Sequence, residues 1–302
     1  MRNHLRIGTR GSKLAVVQAE SVRDRLVSLH PGIDFEIGKI TTTGDRNTDV
    51  SLEQLGGEGV FVKELEDALL RDEIDLAVHS LKDMLTTIPD GLRLAAVPQR
   101  VDPRDVLLSS AGNIAELPPK ARIGTGSQRR AVQIREMRPD VEICDLRGNI
   151  DTRIRKAFSG ELDGIVMAAA ALIRLNMEDR ITEYLPAEEF VPAVGQGALG
   201  IEIRADDAHT FEIVASLNDE LSRRSVTAER AFLRAMGGGC RAPIAALGNI
   251  ENGNIKLNGI VANPDGSKIL RSSVEGDASA PEKLGEELAA GMIDMGARSL
   301  IQ

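Results

Sequence analysis

Twice along this chain, short apolar runs of strand length end in a turn that opens a stretch of helical period, and any fold must accommodate that order. The first series has strands at Leu5–Ile7, Phe35–Thr41, Ile74–Val78 and Leu92–Val97. Ser12 is predicted to cap the helix after the first of these, with Leu14, Val17, Val22, Leu26 and Leu29 as its apolar face; a second helix is predicted over 61–71. The second series has strands at Val106–Leu108, Arg122–Gly124, Val141–Cys144 and Gly164–Met167, with helices opening near Ser127 and Ile150. Such alternation predicts mostly parallel sheets covered by helices, with ligands at the carboxyl ends of the strands.

Two segments marked by proline and glycine separate the series. Pro98–Pro103 leads out of the first, and Pro192–Gly200 leads back to a strand, Leu199–Arg204, that can rejoin the first sheet. Two crossings of this kind make a hinge between lobes. From Asp219 the pattern changes to a helix ending at Ala235, strands at Ile244–Leu247, Ile255–Val261 and Lys268–Val274, and a helix over Pro281–Ala297. The expected fold is α/β, two doubly wound lobes of the type seen in solute-binding proteins plus a small α+β C-terminal domain. Its expected domains are 1–98 with 198–217, 103–192, and 219–302. Between Thr42 and Gly59 the chain is rich in glycine and has no apolar period, which reads as a mobile loop.

With 42% hydrophobic and 27% charged residues, the 302-residue chain has the make-up of a globular protein. The absence of tryptophan and a single tyrosine leave no stacking platform for single-stranded nucleic acid, and a net charge of −9 argues against a polyanionic partner. Cys144 and Cys240 make neither a disulfide framework nor a metal-ligand cluster, so no metal is expected. The amino terminus lacks an apolar signal segment and no apolar run could span a bilayer, so no membrane partner and a cytoplasmic setting are expected.

Three features carry chemistry. Residues Met236 to Pro243 hold Cys240 between three glycines and a proline, beside Arg241. A thiol displayed on such a loop can act as a thiolate nucleophile, while a lone cysteine can equally be a small buried apolar residue. Second, residues 120–156 contain ten Lys and Arg against five Asp and Glu, concentrated at Gly124–Arg130 and Leu146–Arg153. In each, a strand ends in a glycine turn that opens a helix, so backbone N–H groups, a positive helix end and guanidinium groups converge, as carboxylate or phosphate binding requires. Arg10 and Ser12 offer a third such turn. Taken one at a time, these basic residues are as well read as solvated surface. Third, Lys82 and Asp83 follow a strand end, where Asp83 could stabilise a cation or simply form a local ion pair.

The chain resembles the porphobilinogen deaminase family. The resemblance is carried by Arg10-Gly11-Ser12, Gly56 to Glu64, Ala77 to Asp83, Gly124 to Arg130, Leu146 to Asn149, Pro192 to Gly197 and Gly238-Gly239-Cys240. It implies a three-domain monomer that joins four porphobilinogens head to tail with loss of ammonia and releases hydroxymethylbilane by hydrolysis. Growth starts on a dipyrromethane cofactor linked to Cys240 through a thioether. The resemblance further implies that Asp83 is catalytic and that Lys82, Asp83, Thr125, Ser127, Arg129, Arg130, Arg147 and Gly148 hold the cofactor. Arg10, Ser12, Phe61, Arg147, Arg153, Arg174 and Gln196 are the implied substrate residues, in a basic cleft between lobes. Leu85 stands where the family usually has proline, Gly126 where serine is usual, and Gly237 where an acidic residue is common. Two competing readings remain: a two-lobed solute-binding protein, against which the third domain counts, and a cysteine hydrolase, against which the absence of a histidine partner motif counts.

Overall fold

The computed structural model describes residues 3–42, 59, 61–237 and 242–301. The loop expected over Thr42 to Gly59 falls, apart from its ends, outside these residues, as do Cys240 and Arg241. Contacts group the chain into two compact units, Met1–Val101 with Gly197–Arg223, and Asp102–Gln196 with Arg224–Gln302.

In chain order the first unit contains β1 (His4–Arg10), α1 (Lys13–Leu29), β2 (Asp34–Ile40), α2 (Lys63–Leu70), β3 (Leu76–Ser80), a 3-10 turn (Leu81–Asp83) and β4 (Leu92–Ala96). After the chain returns it adds β10 (Leu199–Arg204) and α6 (Ala208–Val214) and enters α7 (Glu220–Met236). The sheet order is β2-β1-β3-β10-β4; β1 runs parallel to β2 and β3, and β10 is antiparallel to β3 and β4. Strand alternation divides the side chains between two cores. Leu5, Ile7, Leu76, Val78, Ile201 and Ile203 pack with α1 and α6, whereas Ala77 lies with Leu65, Ala68 and Leu69 of α2.

The expected apolar face of α1 needs correction. Its buried positions are Ala15, Gln18, Ala19, Val22 and Leu26, while Leu14 and Val17 are half-buried and Leu29 is exposed. The helix is turned so that two alanines approach the sheet and the Gln18 amide reaches Ser80 Oγ at 3.0 Å. A polar residue whose hydrogen bonds are met can take a buried place that period alone gives to leucine.

The second unit contains β5 (Asp105–Leu108), β6 (Arg122–Gly124), α3 (Gln128–Met137), β7 (Glu142–Cys144), α4 (Ile150–Phe158), β8 (Gly164–Ala168), α5 (Ala169–Arg174) and β9 (Glu183–Tyr184). Its sheet order, β7-β6-β8-β5-β9, repeats the first: parallel strands, then an antiparallel strand that is the first after a chain crossing, then an edge. Val106, Leu108, Ile165 and Met167 pack against α4 and α5, and Leu107, Ile123 and Val166 face Ile134 of α3.

The same unit carries an antiparallel sheet of β11 (Ile244–Glu251), β12 (Asn254–Ala262) and β13 (Ile269–Asp277), followed by α8 (Pro281–Asp294). Residues of α7 and α8, among them Phe232, Leu284, Leu288 and Met292, cover one face, and Val191 packs on Ala245, Leu247 and Ile260 of the other. Glu229 of α7 is fully buried and accepts hydrogen bonds from Gly195 N at 2.7 Å and Gly248 N at 3.0 Å. Among the described residues no helix is long and apolar enough to cross a membrane.

Candidate active site

In the first unit, β1 and β3 are parallel neighbours, so Arg10 and Ser80 leave the sheet at the same edge. Ser12 caps α1, its hydroxyl accepting from Ala15 N at 3.3 Å. The turn after β3 is held by Leu81 N donating to Ala198 O at 3.0 Å and Met84 N donating to Leu81 O at 3.2 Å, which aims Asp83 into a pocket shared with Arg10, Ser12, Gln18, Phe61 and Ser80. The Arg10 guanidinium stacks on the Phe61 ring, 4.0 Å from its centroid. Asp83 is half-buried, and its carboxylate has no hydrogen bond or ion pair among the described residues. Lys82 is half-buried in the same 3-10 turn. Four of the expected residues, Arg10, Ser12, Phe61 and Asp83, are thus brought together; His79 and Ser80 join them from the Ala77 to Asp83 stretch, and Gln18 joins without a motif to announce it.

In the second unit, the ends of the parallel pair β6 and β7 carry the two basic turns. Ser127 caps α3, and Asn149 caps α4 by accepting from Thr152 N at 2.9 Å. Thr125 is buried, with its hydroxyl accepting from Ser127 N at 3.2 Å. Gly148 takes a φ of +105°, and its carbonyl accepts from Arg153 Nε at 2.7 Å. Arg147 is exposed and pairs with Asp145 at 2.9 Å. Burial, and then the charges of Arg130 and Arg147, hold the Arg153 guanidinium below its ordinary value; three cations therefore converge here. Arg174 ends α5, where burial brings its guanidinium down to about 10.

Three expected binding residues have partners already. Arg129 donates through Nη1 to Asp105 at 2.7 Å and to Val191 O at 2.9 Å; Arg130 donates to the other Asp105 oxygen through Nε at 3.0 Å and Nη2 at 2.7 Å. Gln196, 1% exposed, donates to Pro103 O at 2.7 Å and Asp105 at 3.0 Å. Burial pushes the Asp105 carboxyl up, but the two guanidiniums outweigh it and bring it down to about 2. Asp105 is the functional residue that sequence reasoning misses. Its only signal is a carboxylate opening an otherwise apolar strand, where alternation sets it beside Leu107 on the α3 face.

Two of the departures have local causes. A Cβ at Gly126 would lie 2.9 Å from Leu146 O, tighter than a serine tolerates without movement. Gly237, with a φ of +71°, ends α7 in the left-handed region that favours glycine. Cys144 is a free, half-buried thiol at the end of β7. No metal-ligating cluster occurs among the described residues.

One family model, porphobilinogen deaminase, dipyromethane cofactor binding domain, matches residues 5–212, and another, porphobilinogen deaminase, C-terminal domain, matches residues 224–294. The chain belongs to the porphobilinogen deaminase family. Curated relatives of that name include one from Syntrophobacter fumaroxidans, 46% identical over 299 residues that cover 99% of this chain and 97% of the relative. Another, from Brevibacillus brevis, is 48% identical over 298 residues, covering 98% and 96%. Of solved structures, the periplasmic VFT2 domain of Bordetella pertussis BvgS overlays on 72% of this chain and 87% of its own length at 14% identity, with a TM-score of 0.42. Porphobilinogen deaminases are transferases of tetrapyrrole biosynthesis. Asp83 and the basic turns fall within the cofactor-binding match of the porphobilinogen deaminase family, and Cys240 falls within its C-terminal match.

Proposed function

We propose that this chain condenses four porphobilinogens head to tail on a dipyrromethane held covalently by Cys240, with loss of ammonia and hydrolytic release of hydroxymethylbilane. The observation that carries the reading is an Asp83 carboxylate, unpartnered among the described residues, in a pocket with Arg10 and Ser12, within the region matched to a dipyromethane cofactor binding domain. The donor set suits that cofactor. Each pyrrole of such a group carries carboxylates, and Arg130, Arg147 and Arg153 converge with the capped starts of two helices. When bound, the cofactor supplies the free α-carbon from which the chain grows.

Each residue then has a defined task. Thr125, Ser127, Arg147, Gly148 and Arg153 hold carboxylates, Arg174 adds charge, and Lys82 offsets anionic ligand. Arg129 and Gln196 act through Asp105, which fixes the Arg130 fork. Arg10 and Ser12 take a substrate carboxylate, with Phe61 packing under the Arg10 guanidinium. Loss of ammonia from the substrate leaves positive charge shared with its pyrrole nitrogen, and Asp83 accepts that N–H and stabilises the charge. The reading includes the three-domain division 1–98 with 198–217, 103–192 and 219–302, action as a monomer, and a cytoplasmic setting. The test is intact-protein mass after incubation with porphobilinogen: the wild type should gain pyrrole units, and Cys240→Ala none. An unchanged wild-type mass, or full adduct on Cys240→Ala, refutes the reading or the attachment site respectively.

A further inference from the structure

Alternation along two adjacent strands leaves polar groups where the α2 face of the first sheet should be apolar. His79 of β3 and Glu202 of β10 both point under α2, opposite the face formed by Val78, Ile201 and Ile203. His79 Nε2 lies 3.0 Å from Glu202 Oε2, with side chains 4% and 0% exposed. The other Glu202 oxygen, Oε1, is buried without a hydrogen-bond partner. Glu66 of α2, 8% exposed, closes the cluster from above. Burial raises its carboxyl and the Glu202 charge raises it further, while His79 draws it down; Asp67 stands beside it on α2.

Two buried carboxylates beside one imidazole cannot all take their solution charges cheaply, and a proton on one carboxylate gives that oxygen pair a donor. The cluster is not sealed off from chemistry. His79 also lines the pocket into which Asp83 points, and Asp83 follows it by four residues. Packing alone gives no reason for three titratable groups at this place, since the neighbours Ala77, Leu65 and Leu69 make an ordinary apolar core.

We propose that Glu66, Glu202 and His79 form a buried proton store serving the Asp83 pocket, with His79 as the link between the carboxylates and the pocket. The proposal rests on the condensation proposed above, in which such a store has a use. Each cycle replaces one C–H and one C–N bond by a C–C bond. The C–N electron pair leaves on nitrogen as ammonia, and the proton from the C–H bond leaves with it as ammonium. Uptake of a proton by the departing ammonia and release of the proton from the C–H bond are separate events, so the store lends a proton at the first and regains one at the second. Neither oxidant nor co-reactant is needed, and the store ends each cycle as it began.

The test is difference infrared spectroscopy of the cofactor-loaded protein at mildly alkaline pH, reading the carbonyl stretch of a protonated buried carboxyl. The resting wild type should show that band, and Glu66→Gln or Glu202→Gln should remove or shift it. Adding porphobilinogen should perturb the band. His79→Gln should retain the resting band, lose its response to porphobilinogen, and lower kcat at least about tenfold with KM little changed. Thermal unfolding of each variant checks that the fold is kept, since both glutamine replacements preserve shape. No protonated carboxyl at rest overturns the store, even with normal turnover. A band in wild type that ignores porphobilinogen, or one in His79→Gln that still responds, overturns the link. A wild type that gains no pyrrole mass instead overturns the functional reading, while the resting band still judges the cluster by itself.

Discussion

The two five-stranded sheets share one strand order and differ in where each keeps its decisive carboxylate. In the first, Asp83 stands past a strand end, half-buried and without a partner among the described residues. In the second, Asp105 opens a strand, fully buried and bonded by Arg129, Arg130 and Gln196. A carboxylate already satisfied has little left to offer a ligand, so Asp105 fits the architecture of the proposed anion site. One left unpaired in a pocket retains its charge for a cation brought there, which is the role proposed for Asp83.

The widest gap between the two should appear in stability. Asp105→Asn leaves two buried guanidinium groups without their counter-charge, which should cost about 3–5 kcal/mol. Urea unfolding at neutral pH measures it, and a loss below about 1 kcal/mol would dissolve the contrast. The pH dependence follows with the same sign. The folded carboxyl lies near about 2, below its ordinary 3.8, so its contribution is present above 3.8 and lost as pH falls towards 2. Glu66 runs the other way: raised above its ordinary 4.5, it favours the fold in acid and loses that contribution as pH rises through its folded value. Glu66→Gln should therefore gain on the wild type as pH rises.

Asp83→Asn should reverse the pattern, with unfolding nearly unchanged and chemistry impaired. Charge stabilisation of about 3 kcal/mol corresponds to turnover lower by about two orders of magnitude. Single-turnover ammonia release from protein whose adduct is confirmed by mass reads this step, and near-normal release would move the catalytic role elsewhere. Arg147→Leu sharpens the comparison within the second unit. Its guanidinium is exposed and, among the described residues, pairs with exposed Asp145, so stability should change by less than about 0.5 kcal/mol. Cofactor loading, followed by intact mass, should slow by about tenfold, the order expected when one charge-assisted hydrogen bond is lost. Gly126→Ser tests the fit of the turn itself: a Cβ 2.9 Å from the backbone Leu146 O forces the turn to shift, and a loss of about 1–3 kcal/mol in urea unfolding is expected.

Strand–turn–helix order was readable because it depends on local period, and the basic turns were readable because they sit where that order puts them. Bounds shift by a few residues, as for β1, which runs to Arg10 rather than stopping at Ile7. Helix α5 escapes a reading by period because Ala-Ala-Ala-Leu-Ile-Arg follows β8 without a loop and has no polar face to alternate with. The candidate site was legible where its residues lie near glycine turns, as at Ser12, Ser127 and Gly148, and illegible where a polar group lies in the core. Asp105, Gln18, His79 and Glu202 have their meaning only from partners 25, 62 or 123 positions away, or more.

By itself the sequence determined the α/β alternation, the change of pattern after Asp219, the placing of basic residues at strand ends and the family to which the chain belongs. Only the tertiary structure decided the strand order, with a returning antiparallel strand in each of the two five-stranded sheets, and the pairing that commits Arg129 while leaving Asp83 without a partner among the described residues. The physical reason is range. Period, capping and turn preference act over a few residues, whereas the cost of a buried charge is set by whichever groups folding brings beside it.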